Sequence, residues 1–291
     1  MTAAAVALVL AAAGIHATWN LLTKRTGGGG GAFVWLAGSI SALVYAPVAA
    51  AAVVLQHPHF GLIEITFIAG TAFLHLGYFI ALLRGYRAGD LSLVYPLARG
   101  TGPALATIAA IAFFGERPTA VALAGAGLVI AGILTMTGGA NIFHFRRATE
   151  TVRRAIGYAL LTGVTIAVYT LWDKHAVSVL LIPPLILEWF GNAGRVAFLT
   201  PFALRRWSDV RHHWAHHRLE TIGVAILSPL SYILVLTALV FTPVSYVAPA
   251  REVSILIGAG MGTRFLAEGD ARRRMIAATA LVAGVVALAL G

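Results

Sequence analysis

Of the 291 residues, 59% are hydrophobic and 11% charged, with a mean hydropathy of +0.86; this excludes an ordinary soluble domain, in which about a quarter of residues carry charge. The formal net charge of +10 would suggest nucleic acid in a soluble protein, but in so apolar a chain it is the placement of the charges that matters. The absence of cysteine excludes disulfides and thiolate metal sites.

A bilayer span needs about 20 mostly apolar residues. Ten segments qualify: 3–23, 32–55, 62–83, 91–114, 119–138, 155–175, 182–204, 219–240, 245–266 and 273–291. The chain therefore reads as an all-α integral membrane protein. No Lys or Arg precedes the first segment, so it lacks the basic region of a cleavable signal peptide and is expected to stay as a helix. The glycine run 27–31 reads as a flexible turn, with no lysine directly after it to make a phosphate loop. Most connections are short, and the longest, 139–154 and 205–218, are basic. The second ends in R-H-H-W-A-H-H-R, Arg211 to Arg218, whose histidines have i, i+4 spacing. With no H-E-x-x-H pattern and arginines on both sides, it reads as a loop near lipid headgroups and not as a metal site.

The segment S-L-V-Y-P-L-A-R, Ser92 to Arg99, returns as S-Y-V-A-P-A-R, Ser245 to Arg251. Further matches lie at nearly constant offset. Trp19-Asn20 matches Trp172-Asp173, Trp35 and Pro47 match Trp189 and Pro201, Tyr78 matches Tyr232, and Glu116 and Gly132 match Glu268 and Gly284. All five helix pairs are represented, so a five-helix unit is duplicated as residues 1–138 and 155–291, joined by the basic linker 139–154. Five is odd, so the second unit enters the bilayer from the opposite side. That gives ten transmembrane helices as an inverted repeat, whose sites lie near the midplane between the halves. Loops after odd-numbered segments, with their edges, hold 16 of the 21 basic residues, and the other side has Arg117 and Lys174. The positive-inside rule then places the odd loops in the cytoplasm and both termini outside the plasma (inner) membrane.

Arg99, Arg195 and Arg251 lie within spans, where a charge costs about 2.5 to 3.5 kcal/mol on insertion scales. Pro96 and Pro249 each free a carbonyl and are expected to kink or break their helices beside Arg99 and Arg251. The two arginines either hold an anionic solute group or pair with Glu252 to lock helices together. Glu188, Asn192 and Arg195, at i, i+4 and i+7, share a face that either lines a cavity or neutralises itself. His16, Trp19 and Asn20 on the first segment have Tyr169, Trp172 and Asp173 as their repeat neighbours; the tryptophans also suit interface anchors, and Asp173-Lys174 suits a wet helix end. His75, Tyr78, Tyr95 and Tyr232 could give hydrogen bonds or stacking, although a lone intramembrane histidine more often joins two helices.

Ten spans in two halves, with H-A-T-W-N-L-L-T-K at 16–24, V-Y-P-L-A-R at 94–99 followed by G-E at 115–116, and Y-V-A-P-A-R-E at 246–252, resemble the EamA type of the drug/metabolite transporter superfamily. The resemblance covers essentially the whole chain and implies secondary export or exchange of a small metabolite, with no cofactor. Members of that family are described with both termini cytoplasmic, the reverse of what the charges here predict. The expected function is transport of a small polar or anionic organic solute by alternating access. Arg99, Arg251 and Glu252 are the expected anchors, Trp19, Tyr78, Tyr95 and Tyr232 would shape the organic part, and Glu188, Asp173 or Glu252 would carry a coupling proton. The expected partners are that solute and the lipid bilayer, with no nucleic acid. The alternatives are an intramembrane enzyme acting on a lipid-linked substrate, for which no nucleophile and base are evident, and a non-transporting receptor or scaffold.

Overall fold

A computed structural model describes residues 1–26, 30–89, 91–136, 149–261 and 271–291. Among these the chain is helical and contains no strand. The helices are α1 (Ala3–Arg25), α2 (Gly31–Gln56), α3 (Leu62–Ala88), α4 (Leu91–Phe114), α5 (Ala120–Met136), α6 (Glu150–Ser178), α7 (Pro184–Arg205), α8 (Trp207–Phe241), α9 (Val244–Ala250), α10 (Val253–Met261) and α11 (Ala271–Leu290). Glu268, Gly262, Arg146, Arg147, Arg264, residues 139–148 of the linker and Gly27 to Gly29 lie outside the described residues.

Local chemistry sets the boundaries. Thr2 caps α1 by accepting from the Ala5 N–H, and Lys24 and Arg25 sit at the negative end of its dipole. Thr149 caps α6 in the same way, and Glu150 in its first turn pairs with Arg153 and Arg154. Pro184 opens α7 at a position where its missing N–H costs nothing.

Three expectations are corrected. Residues 207–216 are helical and continuous with α8 across a kink at His217, with φ −135° and ψ 32°. Hydropathy hid this helix because it is amphipathic: Val210 is buried against Ala32 and Ala203, while Trp207, Trp214 and the arginines face outward, and no Gly or Pro interrupts it. The second correction concerns α4, which stays helical through position 96, so Pro96 does not end the helix. Pro96 leaves the carbonyl of residue 92 without its intrahelical donor, and the helix continues past it. The break occurs in the other copy. α9 ends and α10 begins across Arg251-Glu252, where Glu252, Ser254 and Ile255 donate to carbonyls three residues back. The third is Asp173, which is fully buried five residues before the end of α6 and is no wet terminus.

Helix contacts follow one pattern. α1 packs on α8 and α10, α6 on α3 and α4; α2 packs on α7 and α8, α7 on α2 and α3; α5 packs on α11 and α4 on α9. The α2–α7 interface carries reciprocal bonds, Trp35 Nε1–H to Thr200 Oγ1 at 2.9 Å and Trp189 Nε1–H to the Ala42 carbonyl at 2.9 Å, with Asn192 Nδ2–H donating to the Gly38 carbonyl at 2.9 Å between them. α5 and α11 approach closely at Gly125 and Gly284, where a Cβ on either would lie 2.7 Å from the other's carbonyl oxygen.

Six helices, α1, α2, α3, α6, α8 and the Leu97–Phe114 part of α4, are long and apolar enough to cross a membrane. The outer surface is apolar, with Leu43 75%, Leu62 82% and Phe113 84% exposed, far beyond the scattered apolar residues of a soluble monomer.

Candidate functional site

A cavity of about 350 Å³ lies between α1–α4 and α6–α10. It reaches toward the end of the bundle marked by Thr23, Gly30, Tyr86 and Leu199. The opposite end is tied shut. The Glu116 carboxylate accepts from the Val244 and Ser245 N–H groups at 2.7 and 2.9 Å, capping α9. Lys174 Nζ donates to the Leu239 and Thr242 carbonyls, the Tyr246 hydroxyl to the Gly291 carbonyl, and the N-terminal amine to the Ala289 carbonyl.

On one wall α4 supplies Arg99 and the α9–α10 junction supplies Arg251 and Glu252. Glu252 is fully buried and takes both arginines: Arg99 Nη2 at 2.9 Å and Arg251 Nε at 3.3 Å. Arg251 Nη2–H also donates to the Tyr169 hydroxyl at 3.3 Å, and the Arg99 guanidinium carbon lies 6.0 Å from the centre of the Tyr95 ring. The locking pair considered from sequence is thus made, but one carboxylate serves two guanidinium groups and leaves a positive charge over. Buried Arg99 Nε–H has no acceptor among the described residues. In a low-dielectric wall such a group favours a ligand acceptor strongly.

The facing wall is a second network. Asp173 on α6 accepts from Thr71 Oγ1–H at 2.6 Å, from the Tyr232 hydroxyl and from His75, whose Nε2 lies 2.9 Å away. On the other side of the imidazole, Arg195 Nη1 lies 3.3 Å from His75 Nδ1, and Arg195 Nη2 is 2.8 Å from Glu188 Oε1. Glu188 and Arg195 therefore pair directly, while Asn192 is turned toward α2.

α1 provides a third strip. His16 stands edge-on to Trp19 at 4.8 Å, Trp19 Nε1–H donates to Ser231 Oγ at 3.3 Å, and Asn20 Nδ2–H donates back to the His16 carbonyl at 2.8 Å. Trp19 lines the cavity, so it is not an interface anchor; its repeat mate Trp172 stacks on Phe67 at 4.1 Å and donates to the Phe67 carbonyl. The cavity thus brings together His16, Trp19, Asn20, Tyr78, Tyr95, Arg99, Glu188, Tyr232 and Arg251. Glu252 and Asp173 stand behind its walls, paired to residues that line it. Sequence reasoning did not join His75 to Asp173; the signal was Thr71 and His75 at i, i+4, two hydrogen-bonding side chains on one face of an apolar helix. No group of three or more His, Cys, Asp or Glu side chains able to hold a metal occurs among the described residues.

No protein-family model matches the chain, and no curated protein does. One solved structure, described only as "Crystal structure of protein", superposes with a TM-score of 0.75 at 16% identity, covering 100% of this chain and 98% of that one. The likeness is one of fold.

Proposed function

We propose that the protein is a membrane-embedded secondary transporter of the EamA-type drug/metabolite kind, built as two inverted five-helix units, that moves a small organic anion through the cavity between them. The observation that carries this reading is the pair of buried arginines sharing one carboxylate in the cavity wall, with Arg99 Nε–H left over. A carboxylate or phosphonate group supplies the missing charge. The apolar outer surface supports placement in a bilayer, where a loose buried charge would otherwise be prohibitive.

The inverted repeat is supported by the exchange pattern of the contacts. Replacing each helix of the first half by its counterpart turns α1–α8 into α6–α3 and α2–α8 into α7–α3, while the α2–α7, α5–α11 and α4–α9 contacts map onto themselves. Matched tryptophans bonding reciprocally across α2–α7 fit the same relation. Alternating access then has a physical meaning. The cavity reaches the basic end, which this reading makes cytoplasmic, while Glu116, Lys174 and Tyr246 hold the other end closed; in the opposite state those bonds break and the cytoplasmic end closes.

A thermal-shift screen of purified protein tests the ligand class. Carboxylates, phosphonates and sugar phosphates of cavity size are expected to raise the melting temperature, and the matched amides, alcohols and free sugars are not. Equal stabilisation by the neutral partners would exclude an anion site.

A further inference from the structure

We propose that His75 is a proton-binding residue that ties entry of each anion to uptake of one proton, acting by release of Arg195; this rests on the anion site proposed above. His75 is 8% exposed and held on both ring nitrogens. Asp173 accepts from Thr71 and Tyr232 as well, so Nε2 carries the hydrogen and faces the carboxylate. Nδ1 is then the lone pair, and Arg195 Nη1–H points to it at 3.3 Å. The same tautomer satisfies both contacts.

A proton taken from cavity water onto Nδ1 reverses that arrangement. The acceptor becomes a donor, two cations face each other at 3.3 Å, and the contact is lost. Arg195 keeps Glu188 as its anchor and has a quarter of its side chain exposed, so it can turn toward the cavity. Tyr232 Oη, 3.4 Å from Nε2, and the Tyr169 ring, 4.3 Å from the imidazole centre, hold the ring in place meanwhile.

The charges around His75 fix the stoichiometry. Facing it are Asp173 and Tyr169 from α6, Glu188 and Arg195 from α7 and Tyr232 from α8. Tyr78 shares its helix, Tyr95 and Arg99 come from α4 across the cavity, and Arg251 and Glu252 lie beyond Tyr169. Three arginines meet three carboxylates: the surplus positive charge of the Arg99–Arg251–Glu252 wall is matched by a surplus negative charge on the Asp173–Arg195–Glu188 wall, so with both cavity histidines, His16 and His75, neutral the two walls together carry no net charge. The proton makes the site positive by one, and a monoanion restores neutrality. A bare anion would instead leave one negative charge buried.

Isothermal titration calorimetry of the purified chain with benzoate tests this; the ligand's own carboxyl stays ionised between pH 6 and 8. Titration in two buffers of different ionisation heat counts the protons taken up. The wild type is expected to take up close to one proton per benzoate, with affinity weakening by up to about tenfold per pH unit on the alkaline side. His75→Gln keeps an N–H toward Asp173 and an acceptor toward Arg195 but takes no proton, and is expected to bind with no proton uptake and a flat pH profile. Benzoate binding without proton uptake in the wild type, or uptake unchanged in H75Q, would overturn the proton site and leave the anion site standing. The wild-type count decides even where H75Q does not fold. No heat of binding in the wild type at pH 6 would remove the anion site, and the proton site with it.

Discussion

Arg251→Ala is expected to weaken anion binding by about 100-fold or more while the protein still folds, and Arg99→Ala is expected to do the same. Each substitution removes charge-assisted hydrogen bonds to the ligand, worth about 1.5 to 3 kcal/mol apiece, and two of them at the lower value make about two decades in affinity. It also removes the surplus charge, because the remaining arginine is neutralised by Glu252. Folding survives for the same reason: Glu252 never lacks a partner, so no buried carboxylate is stranded. Calorimetric affinity and a melting curve for each variant check both halves of the statement. Affinity within threefold of wild type in either variant would remove that residue as an anchor.

Glu252→Gln is expected to act the other way round. It leaves two guanidinium groups, each less than a tenth exposed, without a carboxylate between them. Breaking a buried pair from this side costs about 3 to 5 kcal/mol, so the melting temperature should fall steeply. A bound anion replaces the missing charge, so the same ligand should raise the melting temperature more in E252Q than in the wild type. A variant that melts with the wild type would mean that the two arginines are neutralised elsewhere.

Much of the helical frame was legible from hydropathy, because an apolar run of about 20 residues can satisfy its buried backbone hydrogen bonds within itself only as a helix. The fourth predicted span, 91–114, coincides with α4, and the first ends within two residues of α1. The eighth span starts too late because residues 207–218 present one narrow apolar stripe, and a hydropathy average does not register a stripe. Proline was a poor guide to where a helix breaks. The helix continues through Pro96, whereas after Pro249 the chain leaves α-helical bonding at the Arg251-Glu252 junction. In the site, single residues were legible as buried charges, but their partners were not. Glu252 lies one residue from Arg251 and 153 from Arg99, and it binds both; Asp173 lies 98 residues from His75. Such pairings depend on how the two halves are placed, which a repeat implies without fixing rotamers.

Flux tests the central claim most directly. The chain is reconstituted into proteoliposomes loaded with the unlabelled anion that gives the largest thermal shift, and the labelled compound is supplied outside. Saturable accumulation of the label by exchange, unchanged chemically and lost in Arg251→Ala, is the predicted result. Binding with no exchange, or recovery of the label as a different compound, would contradict transport.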